Sequence, residues 1–244
     1  MGYFRRDIKT WSKENSSPVT EADFLVDDYL KQTLLNARPN YGWMSEETID
    51  DLVRMEKKRI FVIDPIDGTI GFIRGDDGWS ISLAIVENGV TIAGVIYAPA
   101  RDELYEAVAG KGAKLNSEPL PWSSKDNIKP IVPAAEAVYK QFEIEGLEFT
   151  RGPYLPSLAH RLMQVATGKL DICVARRGAQ DWDIAAATLI LKECDIILED
   201  VCVGVPKFNR EETRHGALAA MRDNSLRAPV HSALKKVYGC SNDK

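Results

Sequence analysis

Two aspartates stand three positions apart in residues 64–69, which read Asp-Pro-Ile-Asp-Gly-Thr. They follow an apolar run at 60–63 that predicts a short buried strand. Carboxylates at the end of an interior strand are costly to desolvate unless a cation lies between them, and Mg²⁺ prefers such all-oxygen sites. Gly68 allows close backbone approach to a ligand, and Thr69 adds a hydroxyl. The segment alone fits a metal site or an ordinary acidic turn equally well.

Three further acidic segments also lie at predicted element boundaries. Asp23 follows Thr20, a good N-cap, and begins an amphipathic helix of about fourteen residues. Glu46 and its neighbour Glu47 follow a short strand, and Asp183 precedes a buried apolar helix. Each has a structural explanation when taken alone, because carboxylates favour helix N-termini and solvated turns.

Together, four motifs resemble the inositol monophosphatase superfamily, in that family's order and over nearly the whole chain. They are Pro-Val-Thr-Glu-Ala-Asp at 18–23, Ser-Glu-Glu-Thr at 45–48, Asp-Pro-Ile-Asp-Gly-Thr at 64–69 and Trp-Asp-Ile-Ala-Ala at 182–186. The resemblance implies an α/β (α+β) fold, a layered αβαβα sandwich, and a metal-dependent phosphomonoesterase. It also implies a homodimer and sensitivity to Li⁺.

The resemblance assigns roles to individual residues. One Mg²⁺ would be held by Glu46, Asp64 and the carbonyl oxygen of Ile66, and a second by Asp64, Asp67 and Asp183. A third, weaker ion would bind near Glu46. Asp23 and Thr69 would lie close together and orient or deprotonate the attacking water, so the implied catalytic residues are Asp23, Glu46 and Thr69.

The chemistry has a physical basis apart from the family. A phosphate monoester dianion repels an anionic nucleophile, and two cations about 4 Å apart would neutralise that charge and activate water. Backbone N–H groups of Gly68 and Thr69, at a predicted helix start, would bind the phosphate oxygens. No covalent intermediate is required. We therefore expect His160 and His215 to be structural or peripheral.

We expect the substrate to be a small phosphorylated metabolite, and inositol monophosphate is our leading hypothesis. Inositol monophosphatases tend to carry a glutamate near the place of Arg176, seven residues before Asp183. An arginine there would favour a second anionic group, as in a 3′,5′-bisphosphorylated nucleoside. Arg176 could equally be a solvated loop residue, and histidinol phosphate is a third candidate substrate. Alternatives of a different class are a non-catalytic metal- or phosphate-binding regulator and a structural protein.

Composition limits the remaining choices. The 244 residues carry a formal charge of −5, which argues against a general nucleic-acid binder. We expect no membrane span, since no window approaches about 20 apolar residues, and no signal peptide. The four cysteines form no Cys-x-x-Cys pair, so we expect no zinc site, reduced thiols and a cytoplasmic protein. Three of them should lie in the core, with Cys240 near a frayed tail.

The pattern of elements predicts one domain over 1–244 with two αβ halves, 1–122 and 123–244. The first half should be helix plus a largely antiparallel sheet, with a hairpin at Asn88-Gly89. The second should contain helices at 158–167, 184–191 and 228–237 and strands at 170–175 and 217–221. Residues 16–20 are expected to be a loop, 48–58 helix or loop, and 119–133 a seam between the halves.

Overall fold

The chain folds into five alternating layers of helices and sheets. The computed structural model describes residues 1–13, 17–120 and 129–240. The helices are α1 Glu21–Ala37, α2 Thr69–Arg74, α3 Glu136–Ile144, α4 Leu158–Ala166, α5 Asp181–Lys192 and α6 Arg227–Tyr238. The first seven strands are β1 Thr10–Ser12, β2 Pro18–Thr20, β3 Gly42–Ser45, β4 Arg59–Asp67, β5 Ser80–Glu87, β6 Val90–Ala98 and β7 Glu103–Val108. The others are β8 Ala113–Leu115, β9 Glu118–Pro119, β10 Ile131–Val132, β11 Thr150–Arg151, β12 Ile172–Ala175, β13 Leu198–Asp200 and β14 Leu218–Met221.

A seven-stranded sheet, in the order β3-β4-β5-β6-β7-β8-β9, forms the larger β layer. Every neighbouring pair is antiparallel except β3 and β4, which run parallel. Strand β5 alternates buried and half-buried residues along its whole length, as expected for a strand with one covered face. Asn88 and Gly89 both have positive φ angles and form the predicted hairpin turn between β5 and β6.

The helix α5 lies at the centre of the molecule and packs against strands β4 to β7. Its apolar run from 184 to 191 is almost fully buried, because the smaller sheet β12-β14-β13 borders α4 and α5 on their other side. Close packing depends on Gly94 of β6, where an added Cβ would lie 2.9 Å from the carbonyl oxygen of Ala186. The outer helix α6 packs on α3 and on the smaller sheet, and α1 covers the free face of the larger one. The αβαβα sandwich is confirmed.

Several local predictions need correction. Residues 18–20 form strand β2, paired with β1, where a loop was expected. Helix α1 has 17 residues where about fourteen were predicted, and β4 continues through the motif to Asp67. Residues 53–56 form a 3₁₀ turn within the segment predicted as helix or loop. Helix α3 and strand β13 were not predicted, because both are short and lack a long apolar run.

The cysteine prediction was wrong for one pair. Cys202 and Cys240 are joined in a disulfide across 38 sequence positions, with their Cα atoms 5.7 Å apart. The expectation of four reduced thiols failed because the fold returns the end of α6 to the turn after β13. Cys173 and Cys194 are buried and form no disulfide, as expected.

Two further expectations concern the chain as a whole. Within the described ranges, no helix is both long and apolar enough to cross a bilayer. The largest hydrophobic cluster takes residues from both predicted halves, from Met44 in β3 to Ala220 in β14. The division near residue 122 remains a prediction, because positions 121–128 of the expected seam lie outside the described residues.

Candidate active site

Three of the predicted carboxylates meet in one place. Oxygen atoms of Asp64, Asp67 and Asp183 all lie within 4.8 Å of one another. They line a cavity of 730 Å³, here called the acidic cavity. Glu46, Ile66, Gly68 and Thr69 also line it. Residues from positions 46 to 183 are thus brought to one cavity, as the motif order predicts.

The end of strand β4 positions Asp64 and Asp67. The pairing of β4 with β5 shifts register between these two aspartates, so they do not simply alternate across the sheet. One oxygen of Asp64 accepts a hydrogen bond from the Ile66 N–H at 3.1 Å. Asp67 accepts hydrogen bonds from the Ser157 hydroxyl at 2.6 Å and the Ala159 N–H at 2.7 Å.

Gly68 is required by packing between distant segments. Its φ angle is +88°, and an added Cβ would lie 2.7 Å from the backbone nitrogen of Ser157. A side chain here would therefore push the segment around Ser157 away from Asp67. The close approach that the sequence suggested for a ligand is made in this structure by the chain itself.

Asp183 is supplied by the first turn of α5. It occupies the N3 position of a capping box and accepts a hydrogen bond from the Gln180 N–H at 2.6 Å. The following residues are buried against the larger sheet, so packing fixes the direction of the helix. The carboxylate is therefore held at the cavity by both capping and core packing.

Burial raises the pKa of all three carboxyls. The pKa of Asp64 lies well above its usual value because of burial and the nearby charges of Glu46, Asp67 and Asp183. The pKa of Asp183 is raised in the same way by burial and by Asp67. For Asp67, burial outweighs the opposing hydrogen bonds from Ser157 and Ala159, so its pKa is also raised. Such a cluster is unfavourable when fully ionised unless a cation is present.

A hydroxyl links the other predicted residues. Thr69 Oγ1 lies 3.3 Å from Asp23 Oδ1 and 3.0 Å from the Ile66 carbonyl oxygen, so its one proton can go to either. Asp23 also caps α1, since its Oδ2 accepts bonds from the N–H and hydroxyl of Thr20. Burial raises the pKa of Asp23 despite these bonds. The expected proximity of Asp23 and Thr69 is therefore present.

Glu46 lines the acidic cavity but forms an ion pair with the side chain of Lys13. Lys13 Nζ lies 2.8 Å from Glu46 Oε1 and 2.7 Å from Glu47 Oε1. Burial acts to lower the pKa of Lys13, but these two carboxylates outweigh it and the pKa is raised. Burial raises the pKa of Glu47 to about 7. Lys13 was not predicted, because its partners lie more than thirty positions away in the sequence.

Arg176 lies outside the acidic cavity. It lines a neighbouring cavity of 340 Å³, which shares Tyr154 and Asp183 with the acidic one. Arg161 and Tyr238 also line this neighbouring cavity. Arg176 is thus close to the candidate site, in a cavity that adjoins it at Asp183.

The histidines lie away from this chemistry. His160 is buried with Nε2 at 3.1 Å from Glu103, and His215 is buried with Nε2 at 2.8 Å from Asp181. Neither lines the acidic cavity. A residue that sequence reasoning missed is Ser157, which orients Asp67 and is itself 2.9 Å from the Ser80 hydroxyl. No local motif marks it, because its partner lies 90 positions earlier.

The donor set fits a hard divalent cation. It consists of carboxylate oxygens, and Ile66, whose carbonyl is the other predicted ligand, lines the same cavity. Carboxylates so close together need positive charge between them. Glu46, Asp64, Asp67 and Asp183 are the candidate ligands with carboxylate groups. Their arrangement therefore supports the predicted magnesium chemistry and gives no soft ligand for zinc or copper.

The chain is similar to known phosphatases and to proteins named SuhB. A family model described as the inositol monophosphatase family matches residues 1–223. Nus factor SuhB of Pasteurella multocida is 31% identical, and the match covers 100% of this chain and 91% of that protein. Fructose-1,6-bisphosphatase/inositol-1-monophosphatase of Thermotoga maritima is 35% identical over 75% of this chain and 71% of that protein. The solved structure of an IMPase of Thermotoga maritima superposes with a TM-score of 0.79 at 28% identity, over 96% of this chain and 90% of that one.

Proposed function

The chain belongs to the inositol monophosphatase family of phosphatases, and on that premise we propose that it is a Mg²⁺-dependent phosphomonoesterase acting on inositol monophosphate. The observation that carries the proposal is the convergence of Asp64, Asp67 and Asp183 within 4.8 Å, beside Glu46 and Thr69 in one cavity. A non-catalytic fold would have no need to hold three carboxylates so close together, two of them buried and the third half-buried.

Metal binding is assigned to the carboxylate cluster. We assign Glu46, Asp64 and the Ile66 carbonyl to one Mg²⁺ and Asp64, Asp67 and Asp183 to a second, with a weaker third near Glu46. When bound, the ions supply positive charge that attracts the phosphate dianion and lowers the pKa of water. The contact between Lys13 and Glu46 must loosen if Glu46 is to serve as a ligand.

The remaining residues hold water and move its proton. When the Thr69 hydroxyl donates to Asp23, its oxygen can accept a hydrogen bond from a water in the acidic cavity. Thr69 thereby orients the water, and Asp23, with its raised pKa, can hold the proton that the water loses. Gly68 and Thr69 N–H groups are assigned to the phosphate oxygens, as the motif predicts. No covalent link between enzyme and phosphate is needed.

Arg176 is the residue we assign to substrate choice. Its cavity adjoins the acidic one through Asp183, so the non-phosphate end of a substrate can reach it. A guanidinium favours a second anionic group or hydroxyl oxygens, whereas a glutamate accepts from hydroxyls. Inositol monophosphate remains the leading substrate. If Arg176 contacts the substrate directly, its charge would instead favour a bisphosphorylated nucleoside.

A phosphate-release panel tests the function. The substrates are inositol 1-phosphate, 3′-phosphoadenosine 5′-phosphate and histidinol phosphate, each with Mg²⁺, without it, and with Li⁺ added. We expect Mg²⁺-dependent release, inhibition by Li⁺ and the highest kcat/KM for inositol 1-phosphate. Asp183→Asn should abolish release, while the exposed Asp195→Asn, which removes the same charge, should leave it unchanged. A tenfold preference for the nucleotide would overturn the substrate assignment.

A second role follows from the match to a protein named a Nus factor. That relative covers this whole chain, so a function carried out by binding a protein partner is an alternative to catalysis. The two roles can be separated by Asp64→Asn in cells that depend on this protein. Loss of cellular function would favour catalysis, and full function would favour the binding role. The cytoplasmic location and the homodimer stay predictions, and size-exclusion chromatography with light scattering tests the latter.

A further inference from the structure

A third cavity lies on the long connection between β13 and β14, and most of its charged side chains are basic. Its volume is 840 Å³, within the range of small-molecule sites. Arg177, Lys207, Arg210 and Arg214 line this basic cavity. Among the described residues it shares no lining residue with the acidic cavity. It is therefore a separate concave surface of opposite charge on a chain whose net charge is −5.

The two carboxylates at the basic cavity are already engaged within the protein. Asp200 is buried and accepts hydrogen bonds from the Cys202 N–H at 2.9 Å and the Gly216 N–H at 2.7 Å. Glu212 lies 3.3 Å from the guanidinium of Arg214. Four cationic side chains and two carboxylates leave a formal charge of +2 on the cavity lining. The charge offered to an anion from outside is that of Lys207 and Arg210, which form no ion pair with a described residue.

Buried residues hold the backbone of this connection in place. Arg54 is buried and donates to the side-chain oxygen of Asn209 at 2.7 Å and to the Arg210 carbonyl at 3.0 Å. Asp181 accepts from the Asn209 N–H at 2.7 Å and is paired with His215. A buried arginine and a buried aspartate are thus used to anchor one surface segment. The basic side chains are presented from a fixed frame, which lowers the entropic cost of binding a ligand.

The basic groups suit phosphate. Arg210 donates through Nε to the Lys207 carbonyl at 3.0 Å and through Nη2 to the Arg214 carbonyl at 3.3 Å, which fixes the plane of its guanidinium. A planar guanidinium matches two oxygens of a phosphate group. Lys207 is exposed, and its ammonium forms no ion pair with a described residue. Pro206 and the exposed Val203 and Val205 add apolar surface beside these charges.

We propose that the basic cavity binds a small compound with two or more linked phosphates, such as pyrophosphate or a nucleotide. Several cationic side chains around one concave volume favour a compact, multiply charged ligand over a single phosphate. The adjoining apolar side chains provide a surface for the uncharged part of a nucleotide. This site does not depend on the proposed phosphatase function.

Calorimetry with pyrophosphate on metal-free protein tests the proposal. EDTA prevents hydrolysis and leaves the acidic cavity negatively charged, so that cavity repels the probe. We expect saturable binding that the double variant Lys207→Ala/Arg210→Ala weakens at least about tenfold, because charge-assisted hydrogen bonds are lost. Lys111→Ala/Lys114→Ala removes the same charge from exposed residues of the β7–β8 hairpin and should leave binding unchanged.

Three results would overturn the proposal. They are the absence of binding to the wild type, equal weakening in both double variants, and tighter binding of a glutamate-rich peptide than of pyrophosphate. The last would assign the cavity to an acidic protein segment. Because Arg210 contacts its own loop, Lys207→Glu serves as a second variant. The Lys207 side chain is exposed and forms no ion pair with a described residue, so we expect at least the same weakening with an unchanged Tm.

Discussion

The three crowded carboxylates of the acidic cavity should destabilise the protein when no metal is bound. Oxygen atoms of Asp64, Asp67 and Asp183 lie within 4.8 Å of one another in a buried setting. Replacing Asp64 by asparagine removes one of these charges and keeps an oxygen that can accept the Ile66 N–H bond. We predict that Asp64→Asn is more stable than the wild type without metal and does not respond to Mg²⁺ as the wild type does.

The size of the effect follows from the spacing. Two unit charges 4.8 Å apart repel by about 3.5 kcal/mol at an effective dielectric constant of 20. Asp64 faces two such partners, but proton uptake by the cluster, shown by its raised pKa values, relieves part of the repulsion. We therefore expect a net gain of about 2 kcal/mol in the free energy of unfolding. For a chain of this length that gain raises Tm by roughly 4–8 °C.

The stability of the metal-free protein should fall as pH rises. The folded-state pKa of Asp64 and of Asp183 lies above the usual 3.8, so the folded metal-free protein holds protons that the unfolded chain releases. This contribution to stability is complete below about pH 3.8 and is lost as pH rises through the raised pKa values. Asp64→Asn should therefore flatten the decline in Tm as pH rises above about 3.8.

Thermal unfolding in EDTA and in excess Mg²⁺ measures both effects. A ligand at a hundred times its dissociation constant adds about 2.7 kcal/mol, so wild-type Tm should rise by roughly 5–11 °C with Mg²⁺. Asp27→Asn is the matched control, because Asp27 is buried but accepts bonds from the Ser45 and Thr48 hydroxyls. It should lower Tm in both conditions. A metal-free Asp64→Asn protein less stable than the wild type, or equally stabilised by Mg²⁺, would refute the reasoning.

Three other predictions concern catalysis, the disulfide and the core. Thr69→Val should lower kcat for phosphate release by about 10²–10⁴ with little change in KM, whereas Thr69→Ser should keep most activity. The double variant Cys202→Ser/Cys240→Ser should lose about 4 kcal/mol of stability, because the bond closes a loop over 38 positions; equal Tm values under reducing and oxidising conditions for the wild type would contradict this. Gly94→Ala should lower the free energy of unfolding by about 1–3 kcal/mol in urea titrations, since its Cβ would press on Ala186, and a neutral effect would contradict the packing described.

The parts of the fold that the sequence predicts well are those with strong local patterns. The β5–β6 hairpin has alternating burial and an Asn88-Gly89 turn, and the apolar run of α5 is too long for a strand. The parts that failed lack such patterns. Strand β2 has three residues and exists because β1 pairs with it, which no local window reveals. Helix α3 is amphipathic but only nine residues long.

The site residues differ in the same way: those within local motifs could be predicted, and those that depend on distant contacts could not. The meeting of Asp64, Asp67 and Asp183 could be predicted, because their motifs are specific and lie at element boundaries. Lys13 and Ser157 could not, since each matters through contacts with residues far along the chain. The disulfide between Cys202 and Cys240 was missed for the same reason. Contacts between distant residues form only when the whole chain packs, so no local segment predicts them. The carboxylates of the site, in contrast, can be read directly from the residue types within each motif.

The hydrogen bonds to Asp67 make the proposed metal site depend on correct packing of the helices against the larger sheet. This proposed metal ligand, at the end of β4, is held by Ser157 and Ala159 at the start of α4, and Asp183 comes from α5. A nascent or partly unfolded chain that has made only its first sheet cannot offer these oxygens together. Tight magnesium uptake during refolding should therefore coincide with docking of the central helices onto the larger sheet, and a time course of metal binding would report that docking directly.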